Sequence, residues 1–335
     1  MSVAPQANAD PLLEVRHLSR GFDVRRGLLQ ASAGRVLAVD DVSLSVMRGE
    51  TLGLVGESGC GKSTLARLIL RLVPPDGGDI LFRGQSLLGG DVPPDLSRRL
   101  QMVFQDPFSS LNPRLKAGVS IGEPLRAAGV SPEETRRRVA DMLEQVGLLP
   151  EHAARYPHEF SGGQRQRIAI ARAVILHPEF IACDEAVSAL DASVQAQVLN
   201  LLKDMQQRYG FAYLFISHDL AVVGHMSDRV AVMYLGRIVE IAPRDRLFGA
   251  PAHPYTRALL DASPRREPGR RPHVSLSGDL PSPLNPPSGC AFHPRCPLAT
   301  DMCRRTRPAL QPFFPGHLVA CHLVTAAGQP ADLQR

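Results

Sequence analysis

The sequence predicts an α/β fold carrying a helical insert and a small Pro/Cys-rich C-terminal part, on three observations. Short apolar runs alternate with helix-periodic stretches from about Leu12 to Leu247, the pattern of strands and helices packed in layers. A block between Arg114 and Leu176 is mostly helical and has few strand signals. After about Leu260 the character changes: the last 75 of 335 residues hold 13 of the 29 prolines and four of the six cysteines.

The elements follow in chain order. Thr51–Val55, Phe180–Cys183, Tyr213–Ile216 and Val230–Tyr234 are short and apolar, and they predict buried strands. Ser63–Leu72, Glu133–Val146, Val194–Tyr209 and Leu220–Met226 carry helical periodicity. Proline fixes φ and removes a backbone donor, so the tail cannot be mainly helix or central sheet. One hydrophobic core stops growing near ~250–300 residues, so 335 residues predict a large domain plus an appendage.

Composition narrows the function. With 44% apolar and 21% charged residues the chain is an ordinary soluble globular one. Trp is absent and aromatics are 5%, which argues against base-stacking platforms. Nine arginines and five acids give the tail from Asp261 a net +4, leaving +1 of the total +5 for the body. The body has no basic footprint, and no nucleic-acid partner is expected. Arg265, Arg266, Arg270 and Arg271 lie among prolines and read as a solvated linker. No apolar run approaches the ~20 residues of a membrane span, and Met1–Asp10 lacks the features of a secretion signal. A membrane role would be peripheral. In a reducing compartment the six cysteines do not predict disulfides.

Gly56-Glu57-Ser58-Gly59-Cys60-Gly61-Lys62-Ser63 fits G-x-x-x-x-G-K-[ST], after a strand and opening a helix, with Thr64 next in that helix. Glycines let the backbone wrap a phosphate, and successive N–H groups with the helix N-terminus form an anion nest. Lys62 can reach the β- and γ-phosphates, and Ser63 can offer an oxygen to Mg²⁺. The chain holds only three lysines among 38 basic residues, and a compact ammonium stands at this position.

Phe180–Glu185 reads as a buried strand ending in two carboxylates. Asp184 would hold Mg²⁺ and Glu185 would act as general base or water orienter. His218 ends another apolar strand, where it can hydrogen-bond the γ-phosphate. Ser161, Gly162, Gly163 and Gln164 form a second phosphate-facing nest at a helix start, about a hundred residues on. One nucleotide does not need two nests, so the second suits a nucleotide held by another subunit.

With these motifs in this order, the sequence resembles the ATP-binding cassette (ABC) ATPases. Gln105, in Val103-Phe104-Gln105-Asp106, matches the glutamine that links metal and coupling surface. Ser188-Ala189-Leu190-Asp191 matches the loop crossing to the partner cassette, and Phe22 matches by position the aromatic that stacks on adenine. Ser109–Arg114, Tyr156–Phe160, Ser193–Val198, His253–Thr256 and Leu280–Pro283 are similar to the ATPase subunits of oligopeptide and dipeptide importers. Ala186 departs from that subfamily's proline, which predicts a looser turn aiming Glu185 but leaves the catalytic groups intact. The resemblance implies an ABC ATPase domain over 1–260, a helical subdomain over about 106–176, and an oligopeptide-transporter-type domain over 261–335. It implies head-to-tail dimerisation with a second ATPase subunit, identical or not. It also implies two membrane permease subunits docked on the helical block, an extracytoplasmic peptide-binding protein, and a peripheral place on the cytoplasmic face of the inner membrane. Nickel or another small solute is an alternative cargo. A soluble cassette acting on DNA or ribosomes is the rival class, but the stretch from Thr64 to Ser161 has room only for a compact subdomain.

Cys290, Cys296, Cys303 and Cys321 have five, six and 17 residues between them. Four thiols in a Pro-rich segment suggest a cluster that supplies its own fold energy. No C-x₂₋₄-C pair of the zinc type is present, so the spacing favours an iron–sulfur centre, and the resemblance implies a [4Fe–4S] cluster. Zinc stays open through His293, His317 and His322. Cys60 and Cys183 sit within motifs as packing residues.

Overall fold

The computed structural model describes residues 10–26, 31–90, 92–106, 110–262 and 281–324. The Arg265–Arg271 run, Ser109 and Leu280 lie outside the described residues. The chain gathers into two compact units, one of Met1–Leu13, Val46–Thr51 and Arg83–Ser217, the other of Glu14–Ser45, Leu52–Phe82 and His218–Arg335.

The first unit is built on parallel strands Leu100–Val103, Phe180–Asp184 and Ala212–Ile216, with Leu100 opposite Phe180 and Phe180 opposite Ala212. The last two are buried at every position, which is why they appear in sequence as unbroken apolar runs. Helices Ala117–Ala127, Pro132–Gln145, Gly162–Val174 and Ala192–Tyr209 surround this core in sequence. Pro132–Gln145 starts where chemistry dictates: Ser131 accepts from the Glu134 N–H at 3.3 Å and proline takes the first helical position. It buries Thr135, Val139, Met142 and Leu143, one face at helical spacing. Ala192–Tyr209 ends at Gly210, left-handed at φ 71.

In the second unit Leu52–Val55 pairs in parallel with Arg229–Tyr234, which turns back into Arg237–Pro243. That strand pairs antiparallel with His317–Val319, and His317–Val319 pairs with Gln311–Phe314. The Pro-rich tail therefore joins the sheet, at its edge, where the outermost strand tolerates Pro312. Ala31–Val46, Leu13–Arg26 and Gly77–Phe82 form a further sheet in that order. The four expected strands agree with observed ones to within a residue at either end, and Leu220–Met226 agrees at both, whereas strands such as Leu13–Arg26, Ala31–Val46 and Arg237–Pro243 had no expected counterpart.

Candidate nucleotide-binding site

The phosphate loop links the buried strand Thr51–Val55 to the helix Lys62–Ile69. Gly61 caps that helix at φ 109, a conformation L side chains rarely adopt. A Cβ there would stand 2.0 Å from the Ala38 carbonyl oxygen, and one on Gly56 would stand 2.1 Å from the Met233 carbonyl oxygen. Both obstacles are backbone and cannot yield. The Gly236 N–H donates to the Cys60 carbonyl at 2.9 Å, tying the loop's far side to the Arg229–Pro243 hairpin. Lys62 is 5% exposed, and its Nζ donates to the Gly56 carbonyl at 2.8 Å and the Glu57 carbonyl at 3.0 Å. Ser58 and Gly59 are exposed, while Ser63 and Thr64 are half-buried on the first helical turn. Burial pushes the Cys60 thiol up despite nearby Lys62, as befits a packed, protonated side chain.

On the first unit Asp184 closes its strand 3% exposed, and Glu185 follows at φ 48, a left-handed conformation unusual outside glycine. Glu185 is held on three sides. Its N–H donates to the Ile216 carbonyl at 3.0 Å. Its carbonyl accepts from the Ser188 N–H at 3.1 Å and from Ser188 Oγ at 3.0 Å. Its carboxylate accepts from Gln105 Nε2 at 2.8 Å. After Ala186, Ser188 closes the turn through these two bonds to the Glu185 carbonyl. A proline at 186 pushes its predecessor toward extended backbone; alanine makes no such demand.

Ser161 and Gln164 form a reciprocal cap: Ser161 Oγ accepts from the Gln164 N–H at 3.3 Å, and Gln164 Oε1 accepts from the Ser161 N–H at 3.0 Å. The S-x-x-Q spacing signals this local role, which a phosphate nest alone does not bring out. A Cβ on Gly163 would stand 2.3 Å from Val194 Cγ1, so this glycine lets two helices approach, whereas Gly162 faces more open space. In the Ser188–Asp191 loop, Ser188 and Ala189 are exposed and Leu190 is half-buried. Asp191 caps the next helix, and the N–H of Val194 and the hydroxyl of Ser193 hold its carboxyl below the usual range. His218 is exposed ahead of the Leu220–Met226 helix, which Asp219 caps. Phe22 is 40% exposed, with the Arg20 guanidinium 5.0 Å from its ring centroid.

The tail brings its cysteines near one another, Cys321 lying within electrostatic reach of Cys290, Cys296 and Cys303. Among the described residues no group of three or more His, Cys, Asp or Glu is placed to hold a metal ion. Cys303 and Cys321 are buried, and the Cys290 N–H donates to the Cys303 carbonyl at 2.8 Å. Burial pushes the Cys321 thiol up to about 11 and raises those of Cys290 and Cys296. The histidines are engaged elsewhere: His317 with buried Glu240 at 2.8 Å, His322 with the Thr306 carbonyl at 2.8 Å, His293 with the Cys290 carbonyl at 3.0 Å. The arrangement lends no support to the [4Fe–4S] expectation or to its zinc alternative, and no chemistry is derived from such a group.

Two residues to which the sequence reading gave no role at the nucleotide touch the phosphate loop, Tyr255 of the His253–Thr256 segment and Arg295. Tyr255 Oη accepts from the Glu57 N–H at 3.0 Å, and Arg295 grips the Glu57 carboxylate with two nitrogens at 2.8 and 3.0 Å. They lie 198 and 238 residues away in sequence. The one available signal is an acid inside an anion-binding loop, which calls for a cation beside it.

The ABC transporter family model matches residues 39–188, and the model for the C-terminal region of oligopeptide/dipeptide transporters matches residues 239–303. The chain is 51% identical to an oligopeptide transport ATP-binding protein of Bacillus subtilis, over 95% of this chain and 98% of that one. It is 50% identical to a dipeptide transport ATP-binding protein of Escherichia coli, over 98% of this chain and 99% of that one. A dimeric ATP-binding cassette solved in a post-hydrolysis state with ADP and Pi superposes with a TM-score of 0.60 at 26% identity, over 69% of this chain and 98% of that one. Among the described residues no helix is long and apolar enough to cross a membrane. The chain belongs to the ATP-binding proteins of the ABC transporter family, in the group that carries the oligopeptide/dipeptide transporter C-terminal region.

Proposed function

We propose that this chain binds and hydrolyses ATP to power a membrane importer of peptides. The observation that carries the proposal is the phosphate loop, a lysine-bearing turn whose glycines are sterically required, in a chain about half identical end to end to peptide-transport ATP-binding proteins. Lys62 and the loop N–H groups of residues 56–64 bind the phosphates, and Phe22 stacks on adenine. Ser63, Gln105 and Asp184 offer hard oxygen donors that fit Mg²⁺, which when bound neutralises charge on the phosphates. Glu185 orients and deprotonates the attacking water, aimed by the Gln105 hydrogen bond and the Ser188-closed turn. His218 hydrogen-bonds the γ-phosphate.

Ser161, Gly162, Gly163 and Gln164 contact the nucleotide of a second ATPase subunit, and Ser188, Ala189, Leu190 and Asp191 cross to that subunit. The nucleotide then favours the closed dimer by contacts available only there. Dimer formation by the structurally similar cassette supports this arrangement. The division is an ATPase domain over 1–260, a helical subdomain over about 106–176, and a C-terminal domain over 261–335. An open groove of about 720 Å³ lined by Lys116, Arg155, Tyr156, His158 and Glu159 lies in the helical part. Val119, Leu149 and Tyr156 are exposed there, which suits docking on two membrane permease subunits fed by an extracytoplasmic binding protein. The chain sits peripherally on the cytoplasmic face of the inner membrane.

The test is Glu185→Gln in the assembled transporter. ATP turnover and uptake of labelled di- and oligopeptides fall about a hundredfold or more while ATP binding survives. Unchanged turnover removes Glu185 as the base, and uptake of nickel in place of peptides overturns the cargo.

A further inference from the structure

Glu57 has all its polar groups committed. Its N–H goes to Tyr255 Oη at 3.0 Å, its carbonyl accepts from Lys62 Nζ at 3.0 Å, and both carboxylate oxygens are taken by Arg295. The Arg295 side chain is only 5% exposed and that of Glu57 23%, so the pair is largely shielded from water. A two-nitrogen fork on a carboxylate fixes orientation as well as distance, which a single ammonium cannot do. Arg295 is itself anchored by its surroundings. It ends the short turn His293–Arg295, and the preceding Phe292 is 2% exposed. The Phe292 ring packs edge-on against Tyr234 at 5.5 Å and tilted against Tyr255 at 5.4 Å. Tyr234 ends the strand whose neighbouring Met233 carbonyl limits Gly56. The tail thus grips the loop residue whose carbonyl receives the lysine ammonium.

We propose that Arg295 is a positioning residue for the nucleotide: acting through Glu57, it holds the phosphate loop in its binding shape. This rests on the reading of the loop as the ATP site. A loop of exposed residues such as Ser58 and Gly59 must otherwise be ordered when the nucleotide arrives, and preordering it removes that cost from binding. Because coupling between sites is reciprocal, the nucleotide in turn steadies the turn that carries Arg295.

The experiment uses the purified full chain, with a fluorescent ATP analogue for affinity and the assembled transporter for kinetics. Arg295→Ala weakens nucleotide binding about tenfold, with the loss in KM rather than kcat. Glu57→Gln, which keeps the loop's size, gives a loss of the same size, and the double variant is no weaker than either single one. In the wild type the nucleotide slows amide exchange at 290–296, and in Glu57→Gln it does not. Affinities within twofold of wild type, or penalties that add in the double variant, overturn the proposal. If Arg295→Ala fails to fold, Glu57→Gln alone decides by the same twofold criterion. A wild-type chain that binds no adenine nucleotide overturns the function itself, whereas normal wild-type binding beside unaffected variants overturns only the positioning role.

Discussion

The phosphate loop and the Ser161–Gln164 turn are both glycine-bearing turns that open a helix, yet they are held in opposite ways. The first is shaped from outside: Gly56 and Gly61 press against carbonyls of Met233 and Ala38, and Tyr255 and Arg295 reach in from the C-terminal third of the chain. The second holds itself, through a cap closed between residues three apart. A self-capped turn keeps its form with little help from its surroundings and can present its glycines to a partner. An externally clamped loop depends on distant segments, and that dependence makes it open to control by them.

Gly61→Ala attacks the external clamp and carries the largest expected effect. The added Cβ meets fixed backbone at positive φ, so stability drops on the order of 4 kcal/mol and nucleotide binding is lost. A thermal midpoint and affinity close to wild type would remove the steric basis of the contrast. Gly163→Ala meets Val194 Cγ1, a side-chain methyl that can partly give way, and it costs about 1–3 kcal/mol by denaturant unfolding. A larger loss there than at Gly61 would invert the comparison. Ser161→Ala removes one half of the reciprocal cap and costs about 1 kcal/mol, read as a small fall in unfolding midpoint with nucleotide affinity of the isolated chain unchanged. An affinity loss in the isolated chain would show that the second turn serves its own chain's nucleotide.

Much of this was legible because it is local or fully buried. Phe180–Asp184 and Ala212–Ile216 are buried on both faces, so their apolar runs needed no partner to be recognised. The Pro132–Gln145 helix carries its own start in Ser131 and Pro132. Other features had no local signal. His317–Val319 finds its place only by pairing with Arg237–Pro243, and buried Glu240 is satisfied by His317 and the Ala252 and His253 N–H groups. The four tail cysteines invited a metal by count and setting; the fold gathers them near one another, with Cys321 within electrostatic reach of Cys290, Cys296 and Cys303, but sequence spacing carries no information on where thiols point. Beside Ala186, the Ser188 hydroxyl donates to the Glu185 carbonyl, a contact with no signal in the residues that the missing proline called to notice.

By itself the sequence determined the chemistry: a lysine-bearing glycine loop, paired carboxylates at a strand end, and a self-capping serine–glycine turn each depend on residues within a few positions of one another. Only the tertiary structure decided what steadies that chemistry. Arg295 and Glu57 are far apart along the chain, and such a contact exists only once sheet pairing and an aromatic cluster have brought the tail onto the loop.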